Sequence, residues 1–197
     1  MALNSQSQKI KFYKPKKRFI IPINNFHIPR KLFYQFKKKE FYFLINSNFS
    51  LVVDNCSKSR KKDKETWINK IIKDLFIDLH KEGFAKSIEC YNKKKLIGGL
   101  YGLHIGSCFF GESMFSNTSN TSKFCLLLLI TILIENNFTL LDSQFYNHHL
   151  TQFGAYEISD KEYQIKLKNG INKKCKFPTS LDFQKSFDIL QFLSHKS

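Results

Sequence analysis

Residues 96–145 read LIGGLYGLHIGSCFFGESMFSNTSNTSKFCLLLLITILIENNFTLLDSQF, and their pattern decides the fold. Residues 96–105 are β-branched and aromatic enough to predict a strand. Gly98 and Gly99 interrupt it, as glycines do at a bulge or a close backbone approach. Gly106 marks a turn, and residues 107–114 predict the next strand. The polar run 116–122 is a loop that supplies candidate N-caps. Residues 124–134 are almost wholly apolar, but too short to cross a hydrocarbon core, which takes about 20 residues of helix. They predict a helix buried on most sides. Residues 138–144 predict a closing strand, so the order is mixed α+β.

Three polar groups in this apolar stretch stand out. Glu112 sits among apolar neighbours, where a carboxyl must be paired, hydrogen-bonded or functional. Asp142 and Gln144 fall on one face of the predicted strand by its period of two. An acid and an amide side by side at a strand end can hold and orient a nucleophile. Spacing alone leaves open a salt-bridged structural acid at Glu112 and solvated strand-end groups at Asp142 and Gln144.

Working outward, residues 9–18 carry six basic side chains interleaved with Phe12 and Tyr13. That mixture suits RNA, because charge finds phosphate and rings stack on bases; a solvated tail is the alternative. Residues 31–39 predict a basic helix, 41–46 a strand, and 49–56 a short helix. Thr66 is a candidate N-cap for a helix over 67–81, whose Ile68, Ile71, Ile72, Leu75, Phe76 and Leu79 follow helical spacing and read as core. Gly83 can close it. Residues 85–91 predict a strand. Short helices are predicted over 147–153 and 159–168, and a last amphipathic helix over 180–193.

The chain has 197 residues, a net charge of +16 and a pI near 9.6, which favours a polyanionic partner such as nucleic acid. Only three of its 32 basic residues are arginines (Arg18, Arg30, Arg60), so part of the charge belongs to a general lysine-rich composition. Cys56, Cys90, Cys108, Cys125 and Cys175 show no C-x-x-C pairing and are odd in number. They support neither a disulfide framework nor a zinc site. His148-His149 lacks a third ligand at motif spacing. No cofactor or metal is expected. The first residues lack an apolar leader, so a cytoplasmic protein with no membrane association is expected.

GGLYG at 98–102, FFGESMFS at 109–116, SK at 122–123, LLDSQF at 140–145 and FGAYEI at 153–158 resemble the leucyl/phenylalanyl-tRNA–protein transferase family. Upstream, IP...FHIPR at 21–30, TWI at 66–68 and LH..G.A.S.E at 79–89 extend the resemblance over roughly residues 18 to 165. FGESMFS followed by D.Q at this distance is a highly specific combination. The family usually carries a further N-terminal region with a G-G-D-L-like segment and an F-P-W-like motif. Neither precedes Arg18, so a truncated form is expected.

The resemblance implies a GNAT-like (acyl-CoA N-acyltransferase-like) fold, with residues 1–60 as a short basic tRNA-contacting region and 61–197 as the catalytic domain. It implies transfer of Leu or Phe, with Met a further candidate, from charged tRNA to the N-terminal Arg or Lys of proteins, marking them for degradation. Asp142 and Gln144 become the catalytic pair, and Glu112 a holder of the peptide N-terminus or the adenosine. Leu100, Phe109, Leu126, Leu129, Leu133 and Leu141 match the family's aminoacyl pocket, and Trp67 its tryptophan near the aminoacyl end. Arg30 and Lys37 match basic positions facing tRNA, while a further basic position is Tyr34 here. A monomer is expected. The alternatives are an inactive tRNA-binding relative and another GNAT-like acyltransferase. The latter is disfavoured because residues 116–122 lack the glycines that hold a CoA pyrophosphate at a helix N-terminus.

Overall fold

The computed structural model describes residues 1, 9–38, 40–58 and 66–196. In chain order its elements are β1 (Lys17–Ile20), α1 (Arg30–Lys38), β2 (Tyr42–Ile45), α2 (Phe49–Cys56), α3 (Lys70–Lys81), β3 (Ala85–Asn92), β4 (Lys95–Ile105), β5 (Cys108–Ser116), α4 (Thr121–Glu135), β6 (Leu140–Asp142), α5 (His148–Thr151), β7 (Tyr156–Ser159), α6 (Asp160–Ile171) and α7 (Phe183–Lys196). The last residue of the predicted basic helix, Lys39, and the segments 2–8 and 59–65 lie outside the described residues.

One seven-stranded sheet runs β2-β3-β4-β5-β6-β1-β7. All its pairs are antiparallel except β5 with β6, which are parallel and joined by α4. Antiparallel strands, a crossover helix and a parallel strand make the mixed α+β core expected from the sequence. Successive side chains of a strand point to opposite faces. In β4, Leu100 joins the large cluster around α4, while Tyr101 joins a second cluster with Phe49, Val52, Ile72 and Phe76 of α2 and α3. In β5, Phe109 packs toward α4, and Cys108 lies with Tyr163 of α6. Helices therefore cover both faces, and α4 fills the centre: 12 of its residues are buried, from Thr121 to Leu133. That explains its lack of polar periodicity, since a helix surrounded by protein has no solvent face.

Several boundaries differ from the sequence reading. Helix α3 begins at Lys70, capped by Asn69, whose side chain accepts from the Ile72 N–H; Thr66 accepts from Ile68 one turn earlier. Within it Ile72 and Phe76 are buried, but Ile71 and Leu75 are exposed. The core stripe is thus narrower than the spacing predicted. Helix α4 begins three residues earlier than expected. Asn120 precedes it in a left-handed conformation without a side-chain cap, and Ser116 Oγ accepts from the Ser122 N–H instead. Strands β1 and β7, absent from the sequence reading, pair with each other and extend the sheet beyond β6. The boundary expected after residue 60 falls outside the described residues, and β1 and β2 before it are strands of the common sheet.

Candidate active site

Strands β5 and β6 stay paired only through Cys108–Leu140, Phe109–Leu141 and Phe110–Asp142. Strand β6 then stops, while β5 continues to Ser116. The strand predicted through Gln144 therefore ends two residues early, because Gln144 adopts a left-handed backbone at φ 70°. The site lies where the two strands part.

A bulge aims the first acid. Tyr101 lies opposite Ser113 and Gly102 opposite Gly111, leaving Glu112 as the extra residue of β5. Such a bulge bends its strand and redirects a side chain. It needs the glycine opposite: a Cβ at Gly102 would collide with the Phe110 carbonyl oxygen and the Phe109 ring. Burial is the main cause that pushes the Glu112 carboxyl up to about 7, and nearby Asp142 adds to it; the hydrogen bond from Gln144 Nε2 to Glu112 Oε1 (3.0 Å) opposes it.

Asp142 is entirely buried at the end of β6. Its Oδ1 accepts the Gln144 backbone N–H at 2.7 Å, and its Oδ2 accepts the Tyr163 hydroxyl at 2.8 Å. The Arg18 guanidinium lies 3.8 Å from the same Oδ2. Burial raises the carboxyl; Arg18, the Tyr163 hydroxyl and the Gln144 N–H each pull it back down. Asp142 and Gln144 are thus coupled, but not by two side chains sharing a strand face. Asp142 holds the backbone of Gln144, and the Gln144 amide reaches across the gap to Glu112 and, at 3.4 Å, the Gly111 carbonyl.

A cavity of about 510 Å³ opens at this place, within the size range of small-molecule sites. Leu100, Phe109, Leu126, Leu129 and Leu141 wall its apolar side; Glu112, Ser122, Lys123 and His149 supply polar surface, and the buried Asp142 borders it. Leu133, matched to the pocket by resemblance, is fully buried in the core and does not line this cavity. Trp67 is half-buried against the cluster of α2 and α3, also away from the cavity wall. Arg30 and Lys37 are exposed on α1, seven residues apart and so on one face. Beside them, Lys38 Nζ lies 4.3 Å from the ring centre of Tyr34. Helix α1 ties to the cavity end of α4 through Asn120 Nδ2, which donates to Gln35 Oε1 at 2.8 Å.

A family model described as leucyl/phenylalanyl-tRNA protein transferase matches residues 20–168. The chain belongs to this family. A transferase of that name from Phenylobacterium zucineum is 42% identical over 85% of this chain and 76% of its own length. One from Hyphomonas neptunium is 40% identical over 85% of the chain, and one from Zymomonas mobilis 38% over 87%. The chain spans 65% and 64% of these last two, a little under two thirds of their length. Among solved structures, L-PGS from Bacillus licheniformis is similar with a TM-score of 0.45 and 13% identity, over 90% of this chain and 58% of that one.

Two residues beside this candidate site are not singled out by the sequence. Arg18 reads in the sequence as part of the basic run 9–18, and Tyr163 as one position of the helix predicted over 159–168. Their signal was present but weak. Arg18 is the one arginine in a segment otherwise basic through lysine, and Tyr163 is the aromatic residue in a charged helix. No group of three or more His, Cys, Asp or Glu able to hold a metal occurs among the described residues, and none of their helices is long and apolar enough to cross a membrane.

Proposed function

We propose that this chain transfers Leu or Phe from charged tRNA to the α-amine of proteins beginning with Arg or Lys. The observation that carries this reading is the junction of an apolar chamber with the Glu112–Gln144–Asp142 set where β5 and β6 part. An aminoacyl ester is already activated, so the protein must position it, take a proton from the amine and support a tetrahedral intermediate. The aminoacyl side chain enters the chamber among Leu100, Phe109, Leu126, Leu129 and Leu141. The peptide amine approaches the gap beside Glu112 and Gln144.

Glu112 is the proton acceptor in this scheme. A peptide α-ammonium titrates near about 8, so transfer to a carboxyl held at about 7 is close to balanced. The amine nitrogen then forms a bond to the ester carbonyl carbon. As the bond to the ribose 3′ oxygen breaks, the nitrogen gives up its second proton, which that oxygen takes up, and Glu112 releases the first proton to solvent. Gln144 bonds Glu112 through its amide N–H and presents its carbonyl oxygen as an acceptor for the amine. Asp142 fixes the Gln144 backbone. Within residues 1–60, the exposed face of α1 with Arg30 and Lys37 meets tRNA phosphates.

The test is transfer of Leu, Phe and Ile from matched tRNAs to peptides beginning with Arg, Lys or Ala. Transfer of Leu and Phe to the Arg and Lys peptides, with rejection of Ile and of the Ala peptide, is the expected result. A chamber walled by leucines and Phe109 distinguishes apolar groups by about 1–3 kcal/mol per methylene, so Ile is rejected by its branch near the ester. Binding of tRNA should weaken with salt, and Arg30→Ala and Lys37→Ala should each flatten the salt slope by about one unit. Absence of transfer despite tRNA binding would overturn the reading in favour of an inactive relative.

A further inference from the structure

Beyond the reaction itself, three elements converge on one carboxyl. Asp142 ends β6 without exposed surface. From β1 comes Arg18, from α6 comes Tyr163, and from β5 come Cys108 and Glu112, each of which Asp142 pushes upward in pKa after the larger effect of burial. Arg18 and Tyr163 also engage each other. The guanidinium carbon sits 4.5 Å from the Tyr163 ring centre, and Nη2 donates to the Tyr163 hydroxyl at 3.3 Å. Most of the Arg18 side chain is out of solvent, with 19% of it exposed.

The two oxygens of Asp142 divide their partners. Oδ2 takes the Tyr163 hydroxyl and the Arg18 charge; Oδ1 takes the Gln144 N–H. With Oδ2 engaged, the plane of the carboxyl is set and Oδ1 is aimed at residue 144. A non-glycine residue at positive φ persists only where its surroundings over-determine it. Here the surroundings are that bond, the Phe19 N–H on the Gln144 carbonyl at 3.2 Å, and the Ser143 hydroxyl on the Phe19 carbonyl at 2.8 Å. The left-handed turn sends the Gln144 side chain back across the gap to Glu112.

We infer that Arg18 and Tyr163 are positioning residues of the transfer reaction, acting through Asp142 and the Gln144 backbone to aim the Gln144 amide at Glu112. The inference rests on the proposed function. Arg18 and Tyr163 are not among the residues that line the cavity; each reaches it through Asp142, which is. Their contribution lies in geometry and in keeping a buried acid anionic, since a lone buried carboxylate would take up a proton instead.

The test is a double-mutant cycle. Tyr163→Phe and Arg18→Gln should each lower kcat roughly tenfold, leave KM for tRNA and peptide unchanged, and leave the protein folded. Arg18→Lys, which keeps the charge, should retain most of the activity. In a Gln144→Ala background, adding Tyr163→Phe should lower kcat by less than about twofold, because the residue through which it acts is gone. Full multiplicative losses in the cycle would overturn the inference, as would unchanged kcat in both single variants. A second readout needs no activity, and separates failure here from failure of the proposed function. The carbon-13 carboxyl titration of Asp142, assigned by its loss in Asp142→Asn, should shift upward by roughly one to three pH units in Arg18→Gln. An unmoved midpoint would exclude Arg18 as a partner of that acid.

Discussion

Glu89 and Asp142 are both acids with no exposed surface in the same sheet, yet they belong to different kinds of place. Glu89 sits in the middle of β3. Its Oε1 accepts the Asn48 N–H and the Ser87 hydroxyl, and its Oε2 accepts the Tyr91 hydroxyl, all at 2.9 Å. Asn48 caps α2, and Asn46 beside it accepts the Ser87 N–H at 2.8 Å. Glu89 therefore fastens the turn between β2 and α2 to the sheet. It does not line the cavity. Asp142 stands at a strand end, fastens a residue in a left-handed turn and lines the cavity. Burial of an acid is common to both. What separates them is whether the groups they hold are structural ends or a residue whose side chain bonds the cavity-lining Glu112.

The largest effect that can break this comparison is a crossed pair of substitutions. Asp142→Asn should lower transfer by about a hundredfold or more, the range of a lost acid–base or orienting group, while leaving folding and tRNA binding intact. Glu89→Gln should do the reverse. It should cost about 2 kcal/mol of stability through weakened bonds from three donors, with kcat at the unmutated level. Chemical denaturation and single-turnover transfer on both proteins check this. Wild-type turnover in Asp142→Asn would remove Asp142 from the mechanism.

The same contrast explains what was legible in the sequence. Strands β3, β4 and β5, and the apolar interior of α4, announce themselves by local composition, and the motif around Glu112 marks the site. Local pattern could not show that β6 stops at Asp142, because the stop depends on a bond between the Asp142 side chain and the next residue but one. Nor could it place Leu133, whose apolar side chain reads the same whether it faces a cavity or the core. Arg18 and Tyr163 lie 124 and 21 residues from Asp142, separations at which only the fold brings them together. Strands β1 and β7 were missed for a similar reason. At four residues each they carry little periodic signal, and it is pairing with each other that makes them strands.

A smaller effect concerns the protonation of Glu112. Its carboxyl is raised from 4.5 in an ordinary setting to about 7 in the fold. The folded protein therefore binds a proton that the unfolded chain has released between these values. Stability from this group is fully present below about pH 4.5 and is lost as pH rises through about 7. Glu112→Gln, which cannot ionise, should thus be more stable than the unmutated protein at pH 8, by at most about 3 kcal/mol, and gain nothing at pH 4. The same substitution should abolish the rise of transfer with pH through the neutral range. Thermal unfolding at the two pH values, with transfer at pH 8, checks both. An equal stability difference between the two proteins at pH 4 and pH 8 would show that Glu112 does not hold a proton that the unfolded chain releases.

The smallest effect sharpens the comparison from the side of the donors. Ser87→Ala and Tyr163→Phe each delete one hydroxyl that donates to a buried acid, and each leaves other donors on that acid. At Glu89 the Asn48 N–H still reaches Oε1 and the Tyr91 hydroxyl still reaches Oε2. No donor is stranded by the deletion, because the hydroxyl leaves with its proton. Alanine occupies the strand position with no new volume. The net cost should be that of one ordinary hydrogen bond, about 1 kcal/mol, seen as a small shift of the denaturation midpoint. Transfer should not change, since nothing that Glu89 holds faces the cavity. Tyr163→Phe makes the same chemical deletion at an acid that aims Gln144, and there the loss should appear in kcat. A fall in kcat for Ser87→Ala beyond about twofold would mean that the β2–α2 end is coupled to the site, and that the two buried acids are not separate in function.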